Sequence, residues 1–258
     1  MKQNIKNFFK YKDLLLELIM KDIKLKYKNS ILGVLWSMLD PLLTMIILTI
    51  VFGSIFKRDI PNFPVYVLIG RLVYSFFSES TNASMNAILA NRQLIKKIYV
   101  PKYFFPLSKV CSTFITFLIS FIPLILVMMI TGMKFSSINL LIVFPLVYLL
   151  GISLGIGMVL CTIGVFFGDI KHIYSALLLI LMYMTPIFYP ADIIPRQFAG
   201  IIILNPLFTI LNMFRDVLMY NTVPAFSSHI LSMGYMVICL GIGFISFYKA
   251  QDKFIFHV

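Results

Sequence analysis

Arg71 and Glu79 stand eight residues apart in a run that is otherwise mostly apolar, and Asp40 stands directly before Pro41 in another. Charges in such surroundings are costly, so they mark a polar path or a bond to a neighbouring helix. On an ideal helix the directions of Arg71 and Glu79 differ by about 80°, which leaves both options open. Trp36, Tyr74, Phe76 and Phe77 lie close by in sequence, and Tyr183 and Tyr189 follow later. Catalysis fits poorly. None of the ten acidic residues forms a close pair inside an apolar run, and His172, His229 and His257 are scattered, so neither an acid–base pair nor a metal site is expected. Without a G-x-x-x-x-G-K-[ST] stretch, the chain lacks that motif's cradle for nucleotide phosphates. Cys111, Cys161 and Cys239 each stand alone and read as packing residues.

The elements that must hold these residues are membrane helices. Of 258 residues 60% are hydrophobic and 12% charged, and the mean hydropathy is +0.95, far from a soluble domain. About 20 apolar residues suffice to cross a bilayer. That length predicts an all-α integral membrane protein with six spans, at residues 34–56, 65–89, 104–130, 140–167, 173–188 and 230–247. No cleavable signal peptide is expected, because the first residues are Lys-rich and the first long apolar run starts after residue 30. Residues 1–30 form the N-terminal cytoplasmic piece and 31–258 the transmembrane domain. Fifteen of the 22 basic residues fall before Ser30, between spans two and three, at Lys171, and at Lys249 and Lys253. The positive-inside rule then places both termini in the cytoplasm. The charge is spread over separate edges, which does not fit nucleic-acid binding.

Residues 10–28 predict an amphipathic helix lying in the membrane interface. Asp13, Glu17, Lys21, Lys24 and Lys28 fall on one stripe, with Leu14, Leu15, Leu18, Ile19, Ile23 and Leu25 on the remainder. The stretch "NRQLIKKIYVPKYFFPLS", residues 91–108, mixes Arg92, Lys96, Lys97 and Lys102 with Leu94, Ile95, Ile98, Tyr99 and Val100, and Pro101 and Pro106 interrupt it. A topology signal needs only a few lysines, so the interleaved apolar residues read as a docking surface for another protein. Residues 189–222 are too apolar for a solvated loop and too broken to span. Two short helices meeting near Asn205 and Pro206 and dipping into the outer leaflet satisfy that pattern.

Several stretches resemble one family, the ABC-2 type permeases that export cell-surface polysaccharide. They are "KDIKLKYKNSILGVLWSMLDPLL", "LIKKIYVPKYFFPLS", "FFGDIKHI", "TPIFYP", "NPL" and "FRDVL", in the expected order over nearly the whole chain. The resemblance implies a homodimer with two ABC ATPase subunits, which bind ATP and Mg, so this chain holds no cofactor and is no enzyme. It implies a coupling surface of Leu94, Ile95, Lys96, Lys97, Ile98, Tyr99 and Pro101, with Asp169, Lys171 and His172 as a second cytoplasmic turn. A channel for a polyprenyl-diphosphate-linked glycan would be lined by Trp36, Asp40, Arg71, Tyr74, Phe76, Phe77, Glu79, Tyr183 and Tyr189, and aromatic faces there would let sugars slide. An external gate would use Ile193, Pro195, Asn205, Pro206, Arg215 and Asp216. Three positions depart from the family pattern: Gly168 in place of an arginine before Asp169, Asp40 before Pro41, and Arg71 in place of an apolar residue.

The resemblance implies export of O-antigen-type polysaccharide across the inner membrane of a bacterium. Teichoic acid or capsular polysaccharide export, or ABC-2 export of a drug or lipid, is the alternative. A membrane-embedded glycosyltransferase lacks its carboxylates here, and a proton-driven secondary transporter lacks its internal repeats.

Overall fold

The computed structural model describes residues 11–28, 30–56, 60–97, 100–193, 197, 200 and 204–256, and every element among them is helical. In α1 (Lys12–Tyr27) the i, i+3, i+4 spacing of Leu15, Leu18 and Ile19 gives one buried face. After a 3₁₀ turn at Gly33–Leu35 come α2 (Trp36–Phe56), α3 (Phe63–Met85), and the short α4 (Ala87–Ala90) and α5 (Arg92–Lys97). Helix α6 (Phe104–Ile119) runs through Ser120 into α7 (Phe121–Ile130), then follow α8 (Val143–Phe166), α9 (Ile170–Met184), α10 (Pro206–Leu218) and α11 (Phe226–Ala250). The joint at Ser120 has a cause in sequence: Pro123 cannot donate to the carbonyl four residues back.

Two apolar clusters define the ends of the bundle. At the basic end, Leu18 and Ile19 of α1 meet Ile88 of α4, Phe104 of α6, Val165 of α8 and Phe247 of α11. At the far end, Ile60, Phe63, Tyr66 and Val67 at the start of α3 meet Leu48 and Phe52 of α2, with Phe188 and Met219 against them. Between the ends, α8 and α11 make the most extensive helix pairing. A Cβ on Gly155 would strike the backbone of Cys239, and one on Gly243 the carbonyl of Gly155, so these two helices touch backbone to backbone.

Among the described residues, four helices are long and apolar enough to cross a membrane: Gly33–Gly53, Phe104–Ile130, Ser137–Phe166 and Phe226–Phe254. Helix α3 has 23 residues, about 34 Å at 1.5 Å per residue, yet is less apolar because it carries Arg71, Glu79 and a run of hydroxyls. It compensates by burial: Thr81 Oγ1 donates to the Phe77 carbonyl at 2.6 Å and Ser84 Oγ to the Ser80 carbonyl at 2.8 Å. Helix α9 stops at Met184, before Pro186, after 15 residues. It is tied to α3 by the Tyr174 and Tyr74 hydroxyls, which donate to Thr81 Oγ1 at 2.6 Å and the Leu178 carbonyl at 2.7 Å.

The N-terminal helix does more than lie on a surface. Asp22 follows Leu18 by one turn on the buried face and meets Lys109 of α6 at 2.7 Å, with side-chain exposures of 9% and 21%. Leu25, expected on the apolar side, is exposed because α6 contacts only a narrow stripe of α1.

Candidate functional site

Helices α1, α2, α3 and α6 enclose a cavity of about 300 Å³. Its shape starts from Pro41. A proline inside α2 leaves the Ser37 carbonyl without its helical donor, and Ser120 Oγ supplies the missing bond at 2.8 Å from the joint between α6 and α7. Asp40, directly before the proline, faces the cavity, as do Trp36, Phe76 and Glu79. Phe76 stacks on Phe117 with ring centroids 4.9 Å apart and forms the apolar back wall. Across the opening, Lys26 Nζ of α1 lies 2.7 Å from Glu79 Oε2. Arg71 lies 3.8 Å from Asp40, an ion pair beyond hydrogen-bond range.

Arg71 and Glu79 are thus each paired with a charge on a different helix, α2 and α1. The other aromatics expected beside them are dispersed. Tyr74 and Phe77 are buried in the core shared with α9 and α6, because their side of α3 faces the bundle interior. Tyr183 and Tyr189 lie at the far end, where both rings pack against Phe188 and the Tyr189 hydroxyl donates to the Tyr183 carbonyl at 2.5 Å.

At the basic end, α5 turns Leu94 and Ile95 towards the apolar cluster under α1 and leaves Arg92, Gln93, Lys96 and Lys97 exposed. Ile95 is therefore partly committed to the bundle. Ile98 and Tyr99 lie outside the described residues, while the Pro101 carbonyl accepts from the Phe104 amide at 3.1 Å and starts α6. Lys102 donates to the Gln251 carbonyl at 2.6 Å, and burial lowers its pKa while the nearby Asp252 carboxylate opposes that. Lys21, Arg92 and Lys97 border a second cavity of about 470 Å³, where Lys21 Nζ donates to Asn91 Oδ1 at 3.0 Å. The turn bearing Asp169, Lys171 and His172 is exposed at this same end, flanked by exposed Phe167 and Ile173.

The far end is fastened by a buried node around Arg215 and by the cap of α10. Arg215 of α10 is buried, donates through Nη2 to the Pro186 carbonyl at 2.8 Å and the Ile187 carbonyl at 3.1 Å, and stacks 3.4 Å over the Tyr66 ring. Tyr66 in turn donates to the Tyr189 carbonyl at 2.9 Å. Asn205 caps α10 by accepting from the Leu207 amide at 3.0 Å and donates to Thr185 Oγ1 at 2.8 Å, with Pro206 opening the helix. The Asp216 carbonyl accepts from the Thr222 amide at 2.9 Å, and Ile193 ends a 3₁₀ turn; Pro195 lies outside the described residues.

A model of the ABC-2 type transporter family matches residues 13–219. The chain belongs to the ABC-2 type transporter family. Among curated relatives, an O-antigen export system permease protein RfbA from Klebsiella pneumoniae is 33% identical over 227 residues, 86% of this chain and 85% of its own length. A protein of the same name from Myxococcus xanthus is 30% identical, covering 85% of each chain. The polysialic acid transport protein KpsM of Escherichia coli is 27% identical, covering 92% of each.

Sequence reasoning missed several residues of this ABC-2 permease. Asp22 had a readable signal, since a carboxylate in the Leu15, Leu18, Ile19 series needs a cation opposite. Lys26 and Tyr27 had none, because their value depends on where α1 crosses α3. Ser120 was half legible: Pro41 guarantees an orphan carbonyl but does not say which helix satisfies it.

Proposed function

We propose that this chain is the membrane-spanning subunit of an ATP-driven exporter of lipid-linked surface polysaccharide, of the O-antigen type, in the cytoplasmic membrane of a bacterium. The observation that carries it is the pair of O-antigen export permeases that match along about 85% of their length. In this reading the chain crosses the membrane six times. Four helices long and apolar enough to cross are found among the described residues, and the count is completed by α3, with 23 largely buried residues, and by α9, a shorter apolar helix bonded to α3 through Tyr174 and Tyr74. Both termini then face the cytoplasm at the basic end, and α10 dips into the outer leaflet as part of a gate.

Two copies form the path, and two ATPase subunits that bind ATP and Mg press against the basic end. Lys96 and Lys97 of α5, together with Asp169, Lys171 and His172, receive their motion, while Leu94 and Ile95 pass it to α1 and α6 through the shared apolar cluster. Capsular polysaccharide is a second reading, favoured by the match to a polysialic acid transporter over 92% of both chains.

Purification through a tag on the permease, together with the adjacent ATPase candidate, tests the core of this. The expected product is a two-plus-two complex whose ATPase activity collapses when Lys96, Lys97 and Ile98 are replaced. A permease that purifies alone and keeps its function after those replacements refutes the reading. Intracellular accumulation of lipid-linked glycan in a deletion strain separates glycan export from drug or lipid export.

A further inference from the structure

The charges around the cavity between α1, α2, α3 and α6 cancel. Lys26 is held by Glu79 and Arg71 faces Asp40. A phosphate arriving there would meet two carboxylates and would have to draw both cations away from them. An uncharged polyol needs no such exchange, because a carboxylate engaged by one cation keeps free lone pairs for hydroxyl donors. The walls add hydroxyls of their own. Among the described residues the Tyr27 phenol oxygen is buried without a hydrogen-bond partner, and Ser75 lines the same cavity. Trp36 stands at the rim, 46% exposed, and offers an indole face to the apolar C–H side of a ring. A volume of about 300 Å³ lies at the small end of ligand pockets, enough for one ring and not for an oligosaccharide.

We propose that this cavity is a subsite for one uncharged pyranose ring of the exported glycan, present in each protomer, and that it does not hold the phosphate groups of the lipid carrier. The inference rests on the polysaccharide-export reading and adds where, and by which chemistry, the chain recognises sugar. Lys26 makes the site responsive to α1: when α1 shifts, Glu79 is freed or masked, so a grip on the ring is coupled to the helix that also bonds Asn91 at the start of α5.

Trp36 is the only tryptophan in the chain, so its fluorescence reports this cavity alone. The full-length permease in detergent is titrated with D-mannose, D-galactose, L-rhamnose and N-acetyl-D-glucosamine, and separately with sodium pyrophosphate. At least one sugar should give a saturable change and pyrophosphate none. Glu79→Gln should weaken that sugar about tenfold, the effect of one charge-assisted hydrogen bond. Ser75→Ala removes no charge and should weaken it about threefold, which keeps the test valid if Glu79→Gln misfolds. Saturation by pyrophosphate with silent sugars overturns the proposal in favour of an anion site. No saturable change with any additive, in protein whose helix content is intact, also overturns it. Export of surface glycan by complemented cells is scored in parallel, so a silent titration with intact export sinks the subsite only, and lost ATPase partnership sinks the export reading.

Discussion

Arg71 and Arg215 are the same side chain in two opposite situations. Arg71 is partly exposed and faces, at 3.8 Å, the Asp40 carboxylate that lines the cavity. Arg215 is almost fully buried and is held by two carbonyls and the face of Tyr66. A loose pair beside water gains little and exchanges partners readily. A buried guanidinium bonded to carbonyls has nowhere else to go, and the Pro186 break that exposes those carbonyls depends on it. The difference separates a region built to rearrange from a region built to stay.

Breaking the fixed side should cost most. Arg215→Met leaves the Pro186 and Ile187 carbonyls without their charged donor, and a loss of about 4 kcal/mol is expected, read as a large fall in the thermal midpoint of the purified permease. Arg215→Lys should recover only part of it, since an ammonium lacks the planar fork and the stacking face. Next comes the pair that pins α1. Lys109→Met leaves Asp22 charged and nearly buried, at about 3 kcal/mol, whereas Asp22→Leu combined with Lys109→Met should regain most of that stability by replacing the pair with apolar packing. Thermal unfolding of the two variants side by side checks it.

Smaller effects sharpen the contrast. Asn205→Ala removes the cap of α10 and should cost about 1 kcal/mol, seen as earlier proteolysis or hydrogen exchange in α10 with the rest of the bundle protected. Arg71→Leu should change stability by less than about 1 kcal/mol, yet lower the export rate because Asp40 is left uncompensated beside the cavity. If Arg71→Leu destabilises as much as Arg215→Met, the division into a mobile and a fixed region fails.

The positions of the long helices were legible because length and hydropathy are local properties: the expected spans at 104–130 and 140–167 correspond to Phe104–Ile130 and Ser137–Phe166 within a few residues. The exposed lysines of α5 were legible for a similar reason, since a basic run between two long apolar runs, and just ahead of two prolines, has few ways to be buried. Trp36, Asp40, Phe76 and Glu79 were each picked out singly, as charges or aromatics out of place, and they do share one cavity. Tyr74 and Phe77 were picked on the same ground and turned inward, because residue type does not say which face of α3 meets α9.

The sequence by itself determined that the chain is a helical membrane protein, where its helices begin and break, and that one end is basic, because these follow from hydropathy, proline and charge read along the chain. Only the tertiary structure decided which charges meet. Lys26 reaches Glu79 across 53 residues of sequence, Lys109 reaches Asp22 across 87, and Arg215 finds the Pro186 carbonyl 29 residues away. Such bonds depend on how helices cross, and crossing is set by close approaches such as Gly155 against Cys239 and by carbonyls such as Ser37's that one helix frees and another must satisfy.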